Sequence, residues 1–264
     1  MLGEPIQQIL ERCGSTNDEV RQLGLEGAAH GSWVSTRVQE TGRGRLGREW
    51  RSLEGNLFLS VLLRPQVEAA EVGRSSTDRT YWTWVPLVIA CATMRGLSNE
   101  FPAPPLRIKW PNDLWLGSAK IGGILCEGVS TSQAPFIVAG IGLNCAEAPE
   151  ALDQPTAALQ EALARFGVDP AQAAVDRLRP MVAAWIVEAI NHLFAEGPAE
   201  TLAIYEAMAA LRTSTVISWR DNDAAIYEGA VIGLGPYGEL KVRMADGSER
   251  ALYAEDVKIL KTGG

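Results

Sequence analysis

The sequence has few residues of the kinds that bind transition metals or form disulfides. It contains four cysteines and two histidines in 264 residues. No two cysteines form a C-x-x-C pair, and neither histidine lies near a cysteine along the chain, which argues against a zinc site or a disulfide framework. We therefore expect reduced, mostly buried thiols at Cys13, Cys91, Cys126 and Cys145.

The chain also lacks a long apolar run and an excess of positive charge. Its longest apolar stretch, residues 84–94, is shorter than the roughly 20 residues that cross a bilayer. Residues 1–10 have neither the basic start nor the apolar segment of a signal peptide. A net charge of −8 and a pI near 5.0 disfavour nucleic-acid binding, because a polyanion is repelled at long range. These features predict a cytoplasmic protein with no membrane or nucleic-acid partner.

The pattern of apolar residues predicts an α+β domain over residues 1–212. A helix is expected at residues 17–25, where Ser15 can cap the first turn, and a second helix at residues 83–97. A further helical region follows residue 144. Strands are expected at residues 33–39, 56–63, 106–110, 113–117, 120–129 and 136–143.

After about residue 213 the pattern changes to short strands separated by turns. Turn residues occur at 221–223, 235–238 and 246–247. Strands are expected between them, at residues 215–219, 225–232, 239–244 and 249–253. Residues 213–264 are therefore predicted to form a second, small β-barrel domain.

The most informative segment is the loop at residues 39–51, where glycines alternate with arginines. Arg43, Arg45, Arg48 and Arg51 concentrate positive charge in an otherwise acidic protein. The glycines let backbone N–H groups approach an anion, arginine forks suit phosphate and carboxylate, and Trp50 can stack on a purine. The spacing of a P-loop is absent. From the residues alone, an anion-binding loop and a solvated or RNA-binding basic turn stay equally open.

A second group of chemical residues is Lys-Trp-Pro-Asn-Asp at residues 109–113, followed by Lys120. Pro, Asn and Asp are turn formers that can join two strands. Lys120 begins an apolar strand, where a lysine needs an anionic partner. Asn112 and Asp113 offer oxygens of the kind that Mg²⁺ prefers. The alternative from these residues alone is a hairpin with a surface lysine at its rim.

Together these segments resemble the biotin protein ligases. That family carries, in order, a Ser-Thr-Asn segment, a Gln-x-x-Gly-Arg-Gly-Arg loop ending in Trp, a Lys-Trp-Pro-Asn-Asp turn with a later Lys, and a Gly-x-Asn strand end. Here these motifs occupy residues 15–17, 39–50, 109–120 and 142–144. The resemblance implies a mixed central sheet flanked by helices, similar to class II aminoacyl-tRNA synthetases, and then a small SH3-like β-barrel. It also implies a ligase without a DNA-binding domain, because the first motif begins at residue 15.

The resemblance implies a pocket for biotin and ATP. Ser15, Thr16 and Gln39 would hydrogen-bond the ureido ring of biotin, while Trp50 would cover the adenine of ATP and Asn144 would contact its edge. The binding residues that the matching motifs imply are Ser15, Thr16, Asn17, Gln39, Gly42, Arg43, Arg45, Trp50, Lys120, Gly123 and Asn144.

The resemblance also implies how the reaction proceeds. Arg43 and Arg45 would order the loop over the biotin carboxylate and the α-phosphate. Lys120 would neutralise charge as the carboxylate attacks that phosphate, so that Lys120, Arg45 and Asp113 are the expected catalytic residues. Asn112 and Asp113 would hold Mg²⁺ or position the acceptor lysine.

The implied acceptor is the biotin carboxyl carrier protein domain of a carboxylase, modified by a monomer or weak homodimer. One alternative is a lipoate ligase or octanoyl transferase, but Gln39 and the pair Ser15 and Thr16 favour a polar ureido head over an aliphatic chain. The other alternative is a non-enzymatic anion- or RNA-binding module. It explains neither Lys120 nor the acidic remainder of the chain.

Overall fold

The computed structural model describes residues 4–64, 81–102, 104–131, 134–150, 154–220 and 225–261. Within these ranges the chain forms a larger mixed sheet, a smaller antiparallel sheet and five α-helices. The helices are α1 (Thr16–Leu25), α2 (Val85–Glu100), α3 (Leu159–Arg165), α4 (Val175–Glu196) and α5 (Ala199–Met208). None of the helices in these ranges is long and apolar enough to span a bilayer.

The larger sheet has seven strands in the order β1-β2-β3-β7-β6-β5-β4. β1 and β2 are parallel, whereas the other neighbouring strands are antiparallel. The predicted mixed sheet is therefore confirmed. Its strands are β1 (Gln7–Cys13), β2 (Trp33–Gln39), β3 (Leu57–Leu63), β4 (Leu106–Lys109), β5 (Asp113–Leu116), β6 (Ala119–Val129) and β7 (Phe136–Leu143).

Helices cover both faces of this sheet, and the side chains of β3 point alternately to one face and to the other. Leu59 and its odd-numbered neighbours on β3 belong to the main core, which includes residues of α2 and α4. Leu62 packs in a smaller apolar cluster with Val20 of α1. Since successive side chains of a strand point to opposite faces, Ser60 lies on the same face as α1. We call this face, which carries α1, the α1 face.

The smaller sheet has five antiparallel strands in the order β11-β10-β9-β8-β12. This second sheet agrees with the small β domain in the expected fold class. Its buried residues join the core of the larger sheet, and the indole N–H groups of Trp84 and Trp110 donate to the carbonyls of Pro236 and Gly238 at 2.9 and 3.0 Å. The strands are β8 (Val216–Arg220), β9 (Ile226–Leu234), β10 (Leu240–Arg243), β11 (Glu249–Leu252) and β12 (Val257–Lys261).

Three local features differ from the sequence-based expectation. β1 was not expected, because its polar residues lie exposed at the edge of the sheet and show no apolar alternation. β12 was also not expected. Ser15 is the N-cap residue of α1, but its side chain makes no capping hydrogen bond and lines a cavity instead.

The four cysteines behave as their spacing predicts. Cys13, Cys91 and Cys145 are buried, Cys126 is half-buried, and all four are free thiols. Burial raises the pKa of Cys126 and of Cys145 to about 12, so that neither is a reactive thiolate at neutral pH.

Candidate active site

A cavity of about 540 Å³ lies on the α1 face of the larger sheet. Its walls come from the start of α1, the arginine-rich loop after β2, strands β5 to β7, and residues 256–259 of the smaller sheet. All the predicted site residues line this cavity except Thr16 and Gly42. Those two contact lining residues directly, so the structure brings the whole predicted set together.

One end of the cavity is built from polar groups of α1 and β2. β1 and β2 run side by side and pair Cys13 with Gln39, so the turn from β1 into α1 places Thr16 next to the end of β2. The backbone N–H of Thr16 donates to Gln39 Oε1 at 2.9 Å, and the Thr16 hydroxyl lies 3.2 Å from the same oxygen. Because its oxygen is engaged, Gln39 has its amide nitrogen left to donate to a ligand.

The arginine-rich loop is a short hairpin rather than an open coil. The N–H of Trp50 donates to the carbonyl of Gly42 at 2.9 Å, and the N–H of Gly44 donates to that of Arg48 at 2.7 Å. A Cβ on Gly42 would lie 2.5 Å from the Trp50 carbonyl oxygen, so only glycine allows this approach. The tip residue, Leu46, is exposed and has a left-handed backbone with φ of 56°.

Arg43 points from this hairpin toward α1. Its guanidinium donates two hydrogen bonds to the carboxylate of Asp18, at 2.7 and 2.8 Å. This bidentate contact lowers the pKa of Asp18 below its usual value. Both side chains stay partly exposed, so the pair closes the outer rim of the cavity.

Arg45 and Arg48 point to other parts of the protein. Arg45 donates to Asn112 Oδ1 at 2.9 Å and to the carbonyl of Ala254, and lies 3.8 Å from Asp256. Arg48 forms an ion pair with the same Asp256. Burial lowers the pKa of Arg45, although the nearby carboxylates oppose that shift. The two arginines thus connect the hairpin to the smaller sheet.

The opposite end of the cavity holds two lysines. Lys120 Nζ lies 2.6 Å from Asp113 Oδ1 and 5.6 Å from the ring centroid of Trp50. Lys109 Nζ lies 5.1 Å from the ring centroid of Trp115. Burial lowers the pKa of Lys109, and the charge of Lys120 acts in the same direction. This end therefore presents concentrated positive charge to an anionic ligand.

Trp50 and Asn144 lie against the sheet at the floor of the cavity. A Cβ on Gly142 would come within 2.6 Å of the indole of Trp50, so the glycine makes room for that ring. Asn144 is buried and its amide donates to the carbonyl of Ala157 at 3.3 Å. Gly123 lies beside the same indole. Trp50 and Asn144 thus line a slot, to which Trp50 contributes a flat indole ring and Asn144 a polar amide.

The side chains predicted to hold Mg²⁺ already face cationic groups. Asn112 Oδ1 accepts from Arg45 while Asn112 Nδ2 donates to the carbonyl of Ile124 at 2.6 Å, and Asp113 Oδ1 faces Lys120. Over the described ranges, no cluster of three His, Cys, Asp or Glu side chains could hold a metal. As arranged, Asn112 and Asp113 do not form a fitting magnesium site, because Arg45 and Lys120 already place positive charge against their oxygens. Their assignment to Mg²⁺ stays a prediction.

Lys109 and Asp256 are site residues that the sequence did not assign. Lys109 opens the Lys-Trp-Pro-Asn-Asp motif, so its position in the motif was a usable signal. Asp256 precedes a strand that was not expected, and no pattern marks it as a partner of the arginines.

Comparisons with known proteins identify the family of the chain. A model of the biotin/lipoate A/B protein ligase family matches residues 9–144. The chain is 34% identical over 249 residues to the biotin–[acetyl-CoA-carboxylase] ligase of Paracoccus denitrificans, an alignment that covers 90% of this chain and 98% of the relative. The chain belongs to the biotin/lipoate A/B protein ligase family. A second relative, the biotin–[acetyl-CoA-carboxylase] ligase of Mycobacterium tuberculosis, is 30% identical over 148 residues, which cover 55% of this chain and 51% of that protein.

The fold is also that of the biotin/lipoate ligase family. The biotin protein ligase from Aquifex aeolicus, solved in complex with biotin and ATP, superposes with a TM-score of 0.75 at 23% identity, covering 96% of this chain and 99% of that chain. The predicted catalytic fold with a small additional β domain is thus confirmed. The family assignment also makes the chain a ligase, and it sets aside a non-enzymatic anion- or RNA-binding module.

Proposed function

We propose that the chain is an ATP-dependent biotin protein ligase. It would form biotinyl-5′-AMP from biotin and ATP and transfer biotin to a lysine of a biotin carboxyl carrier protein domain. The observation that carries this proposal is that one cavity has a polar end and a cationic end. Thr16 and Gln39 form a polar end, and Lys109 and Lys120 form a cationic end.

The polar end favours biotin among the substrates of the family. The ureido ring of biotin has two N–H donors and one carbonyl acceptor, whereas the head of lipoate and an octanoyl chain have no comparable groups. A half-buried amide such as that of Gln39 costs free energy when its ligand cannot bond to it. The relative from Paracoccus denitrificans supports the same choice, because it is a biotin ligase.

The cationic end suits the first chemical step. A carboxylate oxygen of biotin attacks the α-phosphorus of ATP, an acyl–phosphate bond forms, and pyrophosphate leaves. Both reactants are anions, so their approach needs positive charge, which Lys120 and Arg45 supply without reorganisation. Mg²⁺ is the expected metal and stays a prediction.

The hairpin suits the second step. The mixed anhydride of biotinyl-5′-AMP hydrolyses readily, and a loop over the cavity slows the entry of water. The acceptor amine then attacks the acyl carbon, AMP leaves with the bonding electron pair, and the amine loses a proton. Asp113 lies beside Lys120, where it can orient that lysine or the incoming amine.

Incubation with biotin, ATP and Mg²⁺ tests the proposal. Mass spectrometry of the protein complex should detect bound biotinyl-5′-AMP, and a carrier domain added afterwards should gain biotin on one lysine. A parallel incubation with lipoate should yield no adenylate. An adenylate from lipoate but not from biotin would replace the proposal with lipoate ligation. The division into residues 1–212 and 213–264, the cytoplasmic location and the monomer or weak homodimer stay predictions.

A further inference from the structure

A chain of buried hydrogen bonds runs beneath the polar end of the cavity. Ser60 Oγ on β3 lies 2.7 Å from Thr16 Oγ1 and 2.6 Å from Asn17 Oδ1, both on α1. Asn17 Nδ2 lies 2.7 Å from Glu127 Oε2 on β6 and 3.4 Å from the carbonyl of Leu125. Ser60 has no exposed surface, and Thr16 and Asn17 are each 3% exposed, so solvent cannot replace the bonds at Ser60.

The chemistry of these groups gives the chain a direction. The carboxylate of Glu127 and the carbonyl of Leu125 can only accept, so the amide nitrogen of Asn17 must face them and its oxygen must face Ser60. That oxygen also only accepts, so the single hydroxyl hydrogen of Ser60 points to Asn17. The Thr16 hydroxyl, which lies 2.7 Å from Ser60 Oγ, donates to Gln39 Oε1 at 3.2 Å.

We propose that Ser60 is a positioning residue that sets the hydrogen-bonding polarity of the substrate head-group pocket. Held by Ser60, Thr16 directs both its backbone N–H and its hydroxyl at Gln39 Oε1. Gln39 accepts from the backbone N–H of Thr16 and presents its amide nitrogen as a donor. Ser60 therefore acts on the head-group pocket through Thr16, which fixes the direction of the Gln39 amide. A donor at this place suits the carbonyl of a urea, so this inference rests on the proposed biotin ligase function.

A glycine of β7 makes room for this arrangement. A Cβ on Gly140 of β7 would lie 2.3 Å from Asn17 Oδ1, so the glycine is needed for the amide to reach Ser60. Arg21 lies 3.6 Å from the Glu127 carboxylate. Glu127 does not line the cavity, and its hydrogen bond to Asn17 connects it to Ser60.

Ser60→Ala tests the proposal, with Ser35→Ala as the matched control. Ser35 is equally buried, on the neighbouring strand β2, but it faces the other side of the sheet and donates to the carbonyl of Phe58. Calorimetry should show biotin binding weakened about 10- to 100-fold in Ser60→Ala, since a broken buried link leaves Asn17 unsatisfied and Thr16 free to rotate. Desthiobiotin, which keeps the ureido ring, should weaken by the same factor. The KM for ATP should change less than about twofold, because the nucleotide end is untouched.

Ser35→Ala should bind biotin and desthiobiotin as the wild type does. Glu127→Ala acts from outside the cavity and should weaken biotin by about three- to tenfold, which decides the matter if Ser60→Ala does not fold. Wild-type biotin affinity in both relay variants would overturn the role of Ser60. So would an equal loss of biotin and ATP in Ser60→Ala and Ser35→Ala. Failure of the unmodified protein to bind biotin would instead overturn the proposed function.

Discussion

The side chain of Lys120 is held from two directions at the cationic end of the cavity. Asp113 lies 2.6 Å away, and the ring of Trp50 lies 5.6 Å away. We predict that Lys120→Ala lowers the rate of adenylate formation about 10²–10³-fold, the usual loss when one preorganised charge is removed from a transition state. Pyrophosphate release in single turnovers measures this rate. Lys241→Ala, on β10, is the control, and release at the wild-type rate in Lys120→Ala would exclude a role at the phosphate.

Gln39 uses its two amide atoms for different partners. Its oxygen accepts from the backbone N–H of Thr16, and its nitrogen is left for a ligand. Gln39→Glu keeps the acceptor and loses the donor, whereas Gln39→Leu loses both. We expect each change to weaken biotin binding by about 1–3 kcal/mol and to leave ATP binding unchanged. Calorimetry with both ligands checks this, and unchanged biotin affinity in Gln39→Glu would show that the amide nitrogen does not contact the head group.

Which residues gather in the cavity could be predicted from the sequence, but their partners could not. Four short motifs mark the residues that chemistry requires, and all of them meet at one face of the sheet. The hydrogen bonds of these residues depend on positions far away in the sequence, such as Ser60 and Asp256. Serine and aspartate are common residues, and no motif marks these two as partners. Arg43 shows the limit clearly. The sequence places it over the substrate, whereas the structure pairs it with Asp18.

At the scale of elements, the arginine hairpin is fastened to the smaller sheet. Arg45 donates to the carbonyl of Ala254, and Arg48 pairs with Asp256. We predict that Asp256→Ala frees the hairpin and speeds the release of biotinyl-5′-AMP about tenfold, because charge-assisted bonds contribute about 1.5–3 kcal/mol and 1.4 kcal/mol corresponds to tenfold. Adenylate formation should fall much less, since Lys120 stays in place.

A single-turnover chase of labelled adenylate measures this release. Asp246→Ala is the control, because Asp246 accepts from Ser248 in another turn of the same sheet. Loss of adenylate formation with an unchanged release rate would show that Asp256 serves the chemical step instead.

The elements themselves were predictable wherever one pattern dominated. β2 and β7 have the expected bounds, and the expected bounds of β3 and α1 differ from the observed ones by one residue at the start. β1 escaped prediction because it is an exposed edge strand whose polar residues resemble a loop. The parallel pairing of β1 with β2 depends on the tertiary fold, and no local sequence pattern encodes it.

At the scale of the whole molecule, two tryptophans of the larger unit reach into the smaller one. Trp84 and Trp110 are 2% exposed, and the carbonyls of Pro236 and Gly238 accept from their indole N–H groups. We predict that Trp110→Phe destabilises the protein by about 1–3 kcal/mol beyond the loss of ring area, because the Gly238 carbonyl is left without its donor. Urea unfolding measures the difference.

Trp219→Phe provides the matched comparison. The indole N–H of Trp219 is buried and has no hydrogen-bond partner within the described residues, so its loss leaves no acceptor unpaired. Equal destabilisation by the two substitutions would show that the bond to Gly238 contributes nothing to stability. Because Trp84 and Trp110 are buried and bond to residues of the smaller sheet, removal of residues 213–264 should expose these two tryptophans and yield an unstable protein.

The cavity takes part of its wall from each sheet, and this has a thermodynamic consequence. A ligand that fills it binds only when both units are folded and docked, so its binding free energy is linked to the folding of the entire chain. At a ligand concentration of 100 Kd, such linkage adds about 2.7 kcal/mol to the free energy of unfolding. Biotin and a non-hydrolysable ATP analogue should therefore move one cooperative melting transition as a whole, rather than stabilise a single part of the protein.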